Sequence, residues 1–377
     1  DIIFRSNNKN IYKCLVKLKD LSDKNFTLRT PTIYLKNKNI LISLTKERYG
    51  SFNKGFLHFV RELENYLGIR YTSLSKAKYR YIQLFNKNKV SLVFLRVISL
   101  CLSKNKKTSL ILFNKFISDD DHINIDNLRL RLAKPNKRLA YLAGVISGDG
   151  HLDKRETSII IADGHSNIKK LCYSKRYLEF IDKLIQNEFN VNGKMYKKRT
   201  WWIYSIDNKW LTRYISYYFD IPFGKKSNTV RLPKNLNKKL ENLFWRGIMD
   251  TDGSISYNKN QIHLKSSSIK LLNGFKAFCD KNNINSYIKK DNNYWRLCIL
   301  SGSILNYARL IGCSHPRKKE LLKGNLQRGS KYKILKSVNN NLPNEYTTLF
   351  NHLRPYKIYV YIKLDEFSRK TIKHDIK

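Results

Sequence analysis

The sequence predicts an α+β protein built from two related lobes, each running helix, strand, strand, helix, strand, strand, helix, with a basic, mostly helical region ahead of them. Three observations lead there. A short pattern occurs twice, as Leu142-Ala143-Gly144-Val145-Ile146-Ser147-Gly148-Asp149-Gly150 and as Trp245-Arg246-Gly247-Ile248-Met249-Asp250-Thr251-Asp252-Gly253, with Asp149 and Asp252 103 residues apart. That spacing is too long for a solenoid repeat and suits one compact lobe. The same succession of hydrophobic periodicities follows each copy, which points to an internal duplication.

The elements follow in chain order. In residues 1–135, Thr30 to Leu35 and Ile40 to Leu44 alternate as a hairpin around an Asn-Lys-Asn turn. Helical segments follow at Phe56 to Leu67, stopped by Gly68, at Leu74 to Phe85 and at Val90 to Leu102. Short helices with basic faces fit a helix-turn-helix module as well as they fit any small helical domain. Lys134-Pro135-Asn136 marks a boundary, because the residue before proline resists helix and asparagine caps the next one.

The first lobe, residues 136–235, opens with a helix from Lys137 whose small residues 143 and 144 allow close approach of another helix. Thr157 to Ala162 reads as a strand, Tyr173 to Phe189 as an amphipathic helix, Lys194 to Arg199 and Trp201 to Ile206 as two strands, and Trp210 to Phe219 as a helix. The second lobe, residues 236–328, repeats the order. Its segments are Leu240 to Met249, Ser254 to Tyr257, Gln261 to Lys265, Ile269 to Asn282, Ser286 to Lys290, Tyr294 to Leu300 and Ile304 to Ile311. Residues 329–377 form a basic tail with one strand-like run, Tyr356 to Leu364.

Composition narrows the partner. Lys and Arg total 73 against 29 Asp and Glu in 377 residues, a formal charge of +44, which points to a polyanion such as nucleic acid. Codon bias accounts for part of the lysine and asparagine richness, but not for the scarcity of acids. No apolar run approaches the ~20 residues of a spanning helix, so no membrane partner is expected, and no signal peptide is seen in the residues present. The six cysteines, Cys14, Cys101, Cys172, Cys279, Cys298 and Cys313, form no C-x-x-C pair. They are expected as small core residues in a reducing compartment, hence an intracellular protein of the cytoplasm, nucleoid or an organelle matrix.

The chemistry concentrates in the repeat. An Asp-Gly at a helix end is by itself an ordinary stop signal, since glycine and aspartate both suit turns. Two copies in register in so basic a chain argue for more. A carboxylate at the negative end of a helix dipole is unfavourable, and two side by side repel, so shared divalent cations relieve both penalties. Basic groups recur after each lobe, at Gly224-Lys225-Lys226-Ser227 and at His315-Pro316-Arg317-Lys318-Lys319. They are candidates for stabilising a phosphoryl transition state.

Together the two motifs, their spacing, the lobe order and the lysines after each lobe resemble the LAGLIDADG homing endonucleases in their single-chain, two-motif form, over Lys137 to Arg328. The resemblance implies a pseudo-twofold pair of αββαββα lobes with the motif helices packed at their interface and each antiparallel sheet lying in a DNA major groove. It implies Asp149 and Asp252 as ligands of two or three Mg²⁺ ions shared at the interface, and the backbone carbonyls of Gly148 and Thr251 as supporting ligands. It also implies Lys226 and one of Lys318 or Lys319 as basic catalytic residues. Two departures stand out. Ser147 holds the place of an acidic residue, for which weaker capping is expected, and Arg246 holds that of a small one, which is expected to loosen or reorient the interface.

Sheet reading of DNA needs alternating side chains that reach bases and phosphates. Lys154, Arg155, Lys194, Lys197, Lys198 and Arg199 in the first lobe, and Lys259, Gln261, His263, Lys265, Lys289 and Arg296 in the second, are suitably placed candidates. Trp201, Trp202, Tyr257 and Trp295 are expected to pack the sheets rather than stack on bases. The expectation is a metal-dependent, double-strand DNA endonuclease that reads a long asymmetric site as a monomer. Because the chain has no Cys or Ser at its start and no His-Asn end, it is expected to be free-standing and intron-encoded rather than an intein. The alternative is a non-catalytic binder, an intron RNA maturase or a regulator on a decayed nuclease fold, with intron RNA as partner.

Overall fold

The computed structural model describes residues 31–68, 70–71, 73–117, 122–125, 127–131, 135–234, 236–256 and 261–328. The tail with its strand-like run, Cys14, Tyr257 and Lys259 lie outside the described residues.

The leading region holds β1 (Thr32–Tyr34), α1 (Lys38–Tyr49), α2 (Phe52–Leu67), α3 (Leu74–Asn86), β2 (Lys89–Ser91), α4 (Leu92–Cys101), α5 (Lys106–Ile117), β3 (His122–Ile125) and β4 (Leu128–Arg131). The expected hairpin is half right. Thr32 to Tyr34 is a strand, but Ile40 to Leu44 lies within α1, where Leu41 and Thr45, one turn apart, are the buried positions. The strand finds its partners far along the chain instead. Ile33 pairs with both Val90 and Ile125, giving the order β2-β1-β3-β4. Serines cap three of the helix starts, Ser51, Ser73 and Ser91 each accepting from the backbone N–H three residues on.

This region is tied to the first lobe through β4. The Tyr214 hydroxyl donates to the Arg131 carbonyl at 2.9 Å, and Asn190 Nδ2 donates to the Asn127 carbonyl at 2.9 Å. The Glu188 carboxylate, nearly buried, accepts from Asn136 Nδ2 at 2.9 and 3.0 Å and pairs with Arg131 at 3.5 Å.

The two lobes repeat one plan. The first is α6 (Lys137–Ser147), β5 (Gly150–Leu152), β6 (Ser158–Gly164), α7 (Leu171–Phe189), β7 (Lys194–Lys198), β8 (Trp201–Asp207) and α8 (Lys209–Phe219). The second is α9 (Glu241–Thr251), β9 (Gly253–Ile255), β10 (Ile262–Ser266), α10 (Ile269–Lys281), β11 (Ser286–Asp291), β12 (Tyr294–Ile299) and α11 (Ile304–Leu310), followed by α12 (Pro316–Arg328). The sheets match strand for strand, β5-β6-β8-β7 and β9-β10-β12-β11, all antiparallel. Gly150 opposite Ile161 and Gly253 opposite Leu264 fix the same offset of 103 residues in both.

Local chemistry explains the boundaries. Asn136, Asn208 and Ser268 each accept from the amide three residues on, and α7 and α8 end at Asn190 and Asp220 in left-handed conformations (φ 55° at both) that short polar side chains tolerate. Each sheet buries one face against its helices: Ile159, Ile161, Tyr204 and Ile206 in the first lobe, Ile262, Leu264, Leu297 and Ile299 in the second. Trp245 fills the second core, stacked on Phe275 at 4.8 Å. Among the described residues no helix is long and apolar enough to cross a membrane.

Candidate active site

The motif helices α6 and α9 meet backbone to backbone at the lobe interface. A methyl group on Gly144 would stand 2.1 Å from the Phe244 carbonyl oxygen, and one on Gly247 would stand 2.4 Å from the Tyr141 carbonyl oxygen. Only glycine permits that approach. Past the crossing the helix ends stay close, since a methyl on Gly148 would strike the Thr251 side chain at 1.9 Å. Asp149 and Asp252 follow directly, with their carboxyl groups close enough to influence each other's ionisation.

Both aspartates are open to solvent, yet the lobes crowd them on either side. Partial desolvation raises both pKa values, and for Asp149 the charge of Asp252 raises it further. Lys226 and Lys318 oppose the rise.

The two lysines occupy equivalent places. Lys226 Nζ donates to the carbonyls of Ile146 at 2.9 Å, Ser147 at 2.5 Å and Gly148. Lys318 Nζ donates to those of Met249 at 3.0 Å and Thr251 at 2.6 Å. Each ammonium caps the negative end of its own motif helix, satisfying carbonyls that lack helical partners. Burial lowers the pKa of both, to about 8 for Lys226, against the raising influence of the aspartates. Of the two candidates after the second lobe it is Lys318, 4% exposed, that reaches the site; Lys319 is exposed on α12. The Gly148 and Thr251 carbonyls, expected as supporting ligands, are each engaged by a lysine, which leaves one lone pair on each oxygen for anything else.

The residues fit a hard divalent cation. Two adjacent carboxylates whose charges repel supply oxygen ligands, and Mg²⁺ is commonly held by one or two carboxylates with substrate phosphate and water completing its shell. Among the described residues no group of three or more His, Cys, Asp or Glu forms a self-sufficient metal cage.

The departures have structural accounts. Arg246 points away from the interface and donates from Nε to the Ile311 carbonyl, tying α9 to the segment after α11; the two helices are as close as glycines allow. The expected loosening is absent. Asp250, fully buried, accepts from the Tyr141 hydroxyl at 2.7 Å across the interface and from the Ser314 amide at 2.9 and 3.1 Å. Its counterpart Ser147 is 2% exposed and its hydroxyl has no hydrogen-bond partner. Ser147→Ala is therefore expected to change stability by at most about 0.5 kcal/mol, whereas Asp250→Ala, which strands a buried hydroxyl and an amide, should cost about 3 kcal/mol by thermal or urea unfolding.

Two functional-looking residues went unseen in the sequence. His315 is 1% exposed, its Nε2 lies 3.1 Å from Asp163 Oδ2 on the first lobe's β6, and its ring packs on Tyr177 with centroids 4.6 Å apart. Burial alone would raise Asp163, but hydrogen bonds from His315 and Ser174 hold it below the usual carboxylate range. The only hint was that His315 opens the basic run ending at Lys319; Asp163 gave none.

The proposed DNA-reading residues separate by face. In the second lobe His263, Lys265, Lys289 and Arg296 share the solvent face, with Lys265, Arg296 and Lys289 in one cross-strand row, and Gln261 is exposed just ahead of β10. Lys265 and Arg296 are both paired with Asp291. Burial, with the neighbouring Arg296 and Lys265, lowers the His263 pKa. In the first lobe Lys194 and Lys198 lie on the solvent face, but Lys197, opposite Trp202 and Asp163, lies on the other face. Lys154 and Arg155 are exposed in the β5–β6 turn, and Arg199 is exposed in the β7–β8 turn. Trp201, expected to pack the sheet, is instead 42% exposed on the face of Lys198, while Trp202 and Trp295 do pack against the core. Cys172, likewise expected inside, is exposed.

Residues 239–312 match the family described as LAGLIDADG-like domain. Two proteins of Methanocaldococcus jannaschii are similar over about half of the chain: a replication factor C small subunit, 29% identical over 55% of the chain and 11% of its own length, and a probable translation initiation factor IF-2, 25% identical over 52% and 16%. The chain thus spans only a small part of these relatives. Among solved structures, the homing endonuclease I-WcaI bound to its DNA recognition sequence is 16% identical, covering 50% of this chain and 88% of that one with a TM-score of 0.37. I-DmoI in complex with DNA and Mn is 18% identical, covering 48% and 98% with a TM-score of 0.35. Full-length DUF199/WhiA from Thermatoga maritima is 19% identical, covering 58% and 66% with a TM-score of 0.34. Residues 239–312 match the LAGLIDADG-like domain family, and the motif and element order of that span recur from Lys137 to Phe219.

Proposed function

We propose that this chain is a site-specific, divalent-metal-dependent DNA endonuclease acting as a monomer, in which two unlike lobes read two unlike half-sites and cut both strands. The observation that carries the reading is the meeting of Asp149 and Asp252 at the ends of two glycine-packed helices, each flanked by its own lysine.

Mg²⁺, with two or three ions held between the aspartates, would supply Lewis acidity and a water that ionises near neutral pH. Asp149 and Asp252 hold the charge that draws the cations to the lobe boundary. Lys226 and Lys318 keep the helix ends neutral and set positive charge beside an incoming phosphate. The outer sheet faces, with Lys194, Lys198, His263 and Lys289, carry side chains suited to phosphates and base edges. We further propose an intracellular enzyme encoded within an intron, with intron RNA as a second ligand.

The test is to incubate the purified chain with DNA from the intron-free locus in Mg²⁺ and in EDTA. Double-strand cleavage in Mg²⁺ alone is expected, with binding that weakens steeply with added salt. Tight, salt-sensitive binding to that duplex without any cutting in Mg²⁺ or Mn²⁺ would overturn the enzyme reading in favour of a binder.

A further inference from the structure

We propose that the buried Asp163–His315 pair, closed into a ring with Asp250, Tyr141 and Tyr177, is a positioning device for Lys318 that only one half of the site possesses. Its functional consequence, though not its structural one, rests on the nuclease reading.

The ring is continuous. From the first lobe Asp163 meets His315 Nε2 at 3.1 Å, and the His315 ring packs on Tyr177. The Tyr177 and Tyr141 hydroxyls lie 3.3 Å apart, and Tyr141 donates its one proton to Asp250 at 2.7 Å. Asp250 closes the circuit by accepting from the backbone amide of Ser314, next to His315 in the chain. Every member but Asp163 is at most 5% exposed. Polar groups so enclosed have little freedom, because any that moves leaves a partner unsatisfied.

What the ring fixes is the start of α12. His315 precedes Pro316, its carbonyl accepts from the Lys319 amide at 2.9 Å, and Lys318 enters the site from the first turn. A second link, Tyr173 to Glu320 at 2.7 Å, binds the same helix to the first lobe. Lys318 therefore serves the second lobe's motif helix while being held by the first lobe.

Among the described residues the other half has no such ring. The 103-residue offset puts Ser266 opposite Asp163, Phe244 opposite Tyr141 and Ser147 opposite Asp250, so none of the three can take the equivalent part. The loop bearing Lys226 is held within its own lobe by the Gly224 amide donating to Leu152 at 2.7 Å.

The direct test needs no substrate. Native full-length chain is acylated with an amine-reactive ester, and modification of Lys318 and Lys226 is followed by peptide mass spectrometry. In His315→Ala and in Asp163→Asn, Lys318 should react about tenfold faster than in the parent, with Lys226 within about twofold, because only one local opening is eased. His315→Gln, whose amide N–H still reaches toward Asp163, should recover much of the protection. Unchanged Lys318 reactivity in folded variants would overturn the proposal, and so would equal exposure of both lysines, which would mean general loosening. With strand-specific end labels, His315→Ala should slow one cut about tenfold and accumulate nicked product. Equal slowing of both cuts would also contradict it. If the parent cuts nothing, the nuclease reading falls while the labelling still decides this one.

Discussion

Asp149→Asn is expected to lose metal-dependent cleavage by about 10³-fold or more while melting at a higher temperature than the parent chain in EDTA. The two effects have one origin. In the folded chain Asp149 is partly desolvated and faces Asp252, so its ionised form is disfavoured there relative to the unfolded chain. A carboxyl raised in this way makes the folded state bind protons more tightly. Stability is then lost as pH rises from the ordinary carboxylate range through the raised folded value, and below that range the penalty vanishes. Without metal, the melting temperature of the parent should fall relative to the variant across that window. Added Mg²⁺ should raise the parent and leave the variant nearly unmoved, since a ligand stabilises only the state that binds it. A merely misfolded variant would be inactive and less stable.

Gly144→Ala and Gly247→Ala should each destabilise the chain by about 3 kcal/mol by thermal unfolding, among the largest effects of any single methyl group. Alanine gains about 1 kcal/mol over glycine in helix propensity, so a net loss measures the clash at the crossing. The atoms met are backbone, at 2.1 Å for Gly144 and 2.4 Å for Gly247, and no rotamer change relieves them. The helices must part, which also separates Asp149 from Asp252, so activity should fall with stability. Gly302→Ala, where a methyl meets nothing within 4 Å, is the control and should stay within about 0.5 kcal/mol.

Much of this was legible in the sequence where local rules act. Periodicity, the asparagine cap at Asn136 and the glycines of the repeated motif set out the order of the two lobes, because each signal lies within a turn or two of the element it defines. Asp149 and Asp252 could be paired across 103 residues because the duplication supplied a second copy. Lys226 was reachable by its matched place, but choosing Lys318 over Lys319 required burial. The leading region resisted for the opposite reason. Ile40 to Leu44 carries the residues of a strand, yet β1 takes partners 57 and 92 residues from Ile33, leaving that segment to bury Leu41 as helix. The Asp163–His315 pair spans 152 residues without a repeat to announce it. Arg246 was misjudged because its position on the motif does not reveal which side of α9 it takes.

The most direct measurement is a crystal of the chain with its target DNA grown in Mn²⁺, with anomalous scattering used to locate the metal. Peaks are expected at the lobe interface within about 2.2 Å of carboxylate oxygens of both Asp149 and Asp252, and should be lost in the Asp149→Asn, Asp252→Asn double variant. DNA seated on the sheets with manganese elsewhere, or with none between these two carboxylates, would contradict that placement.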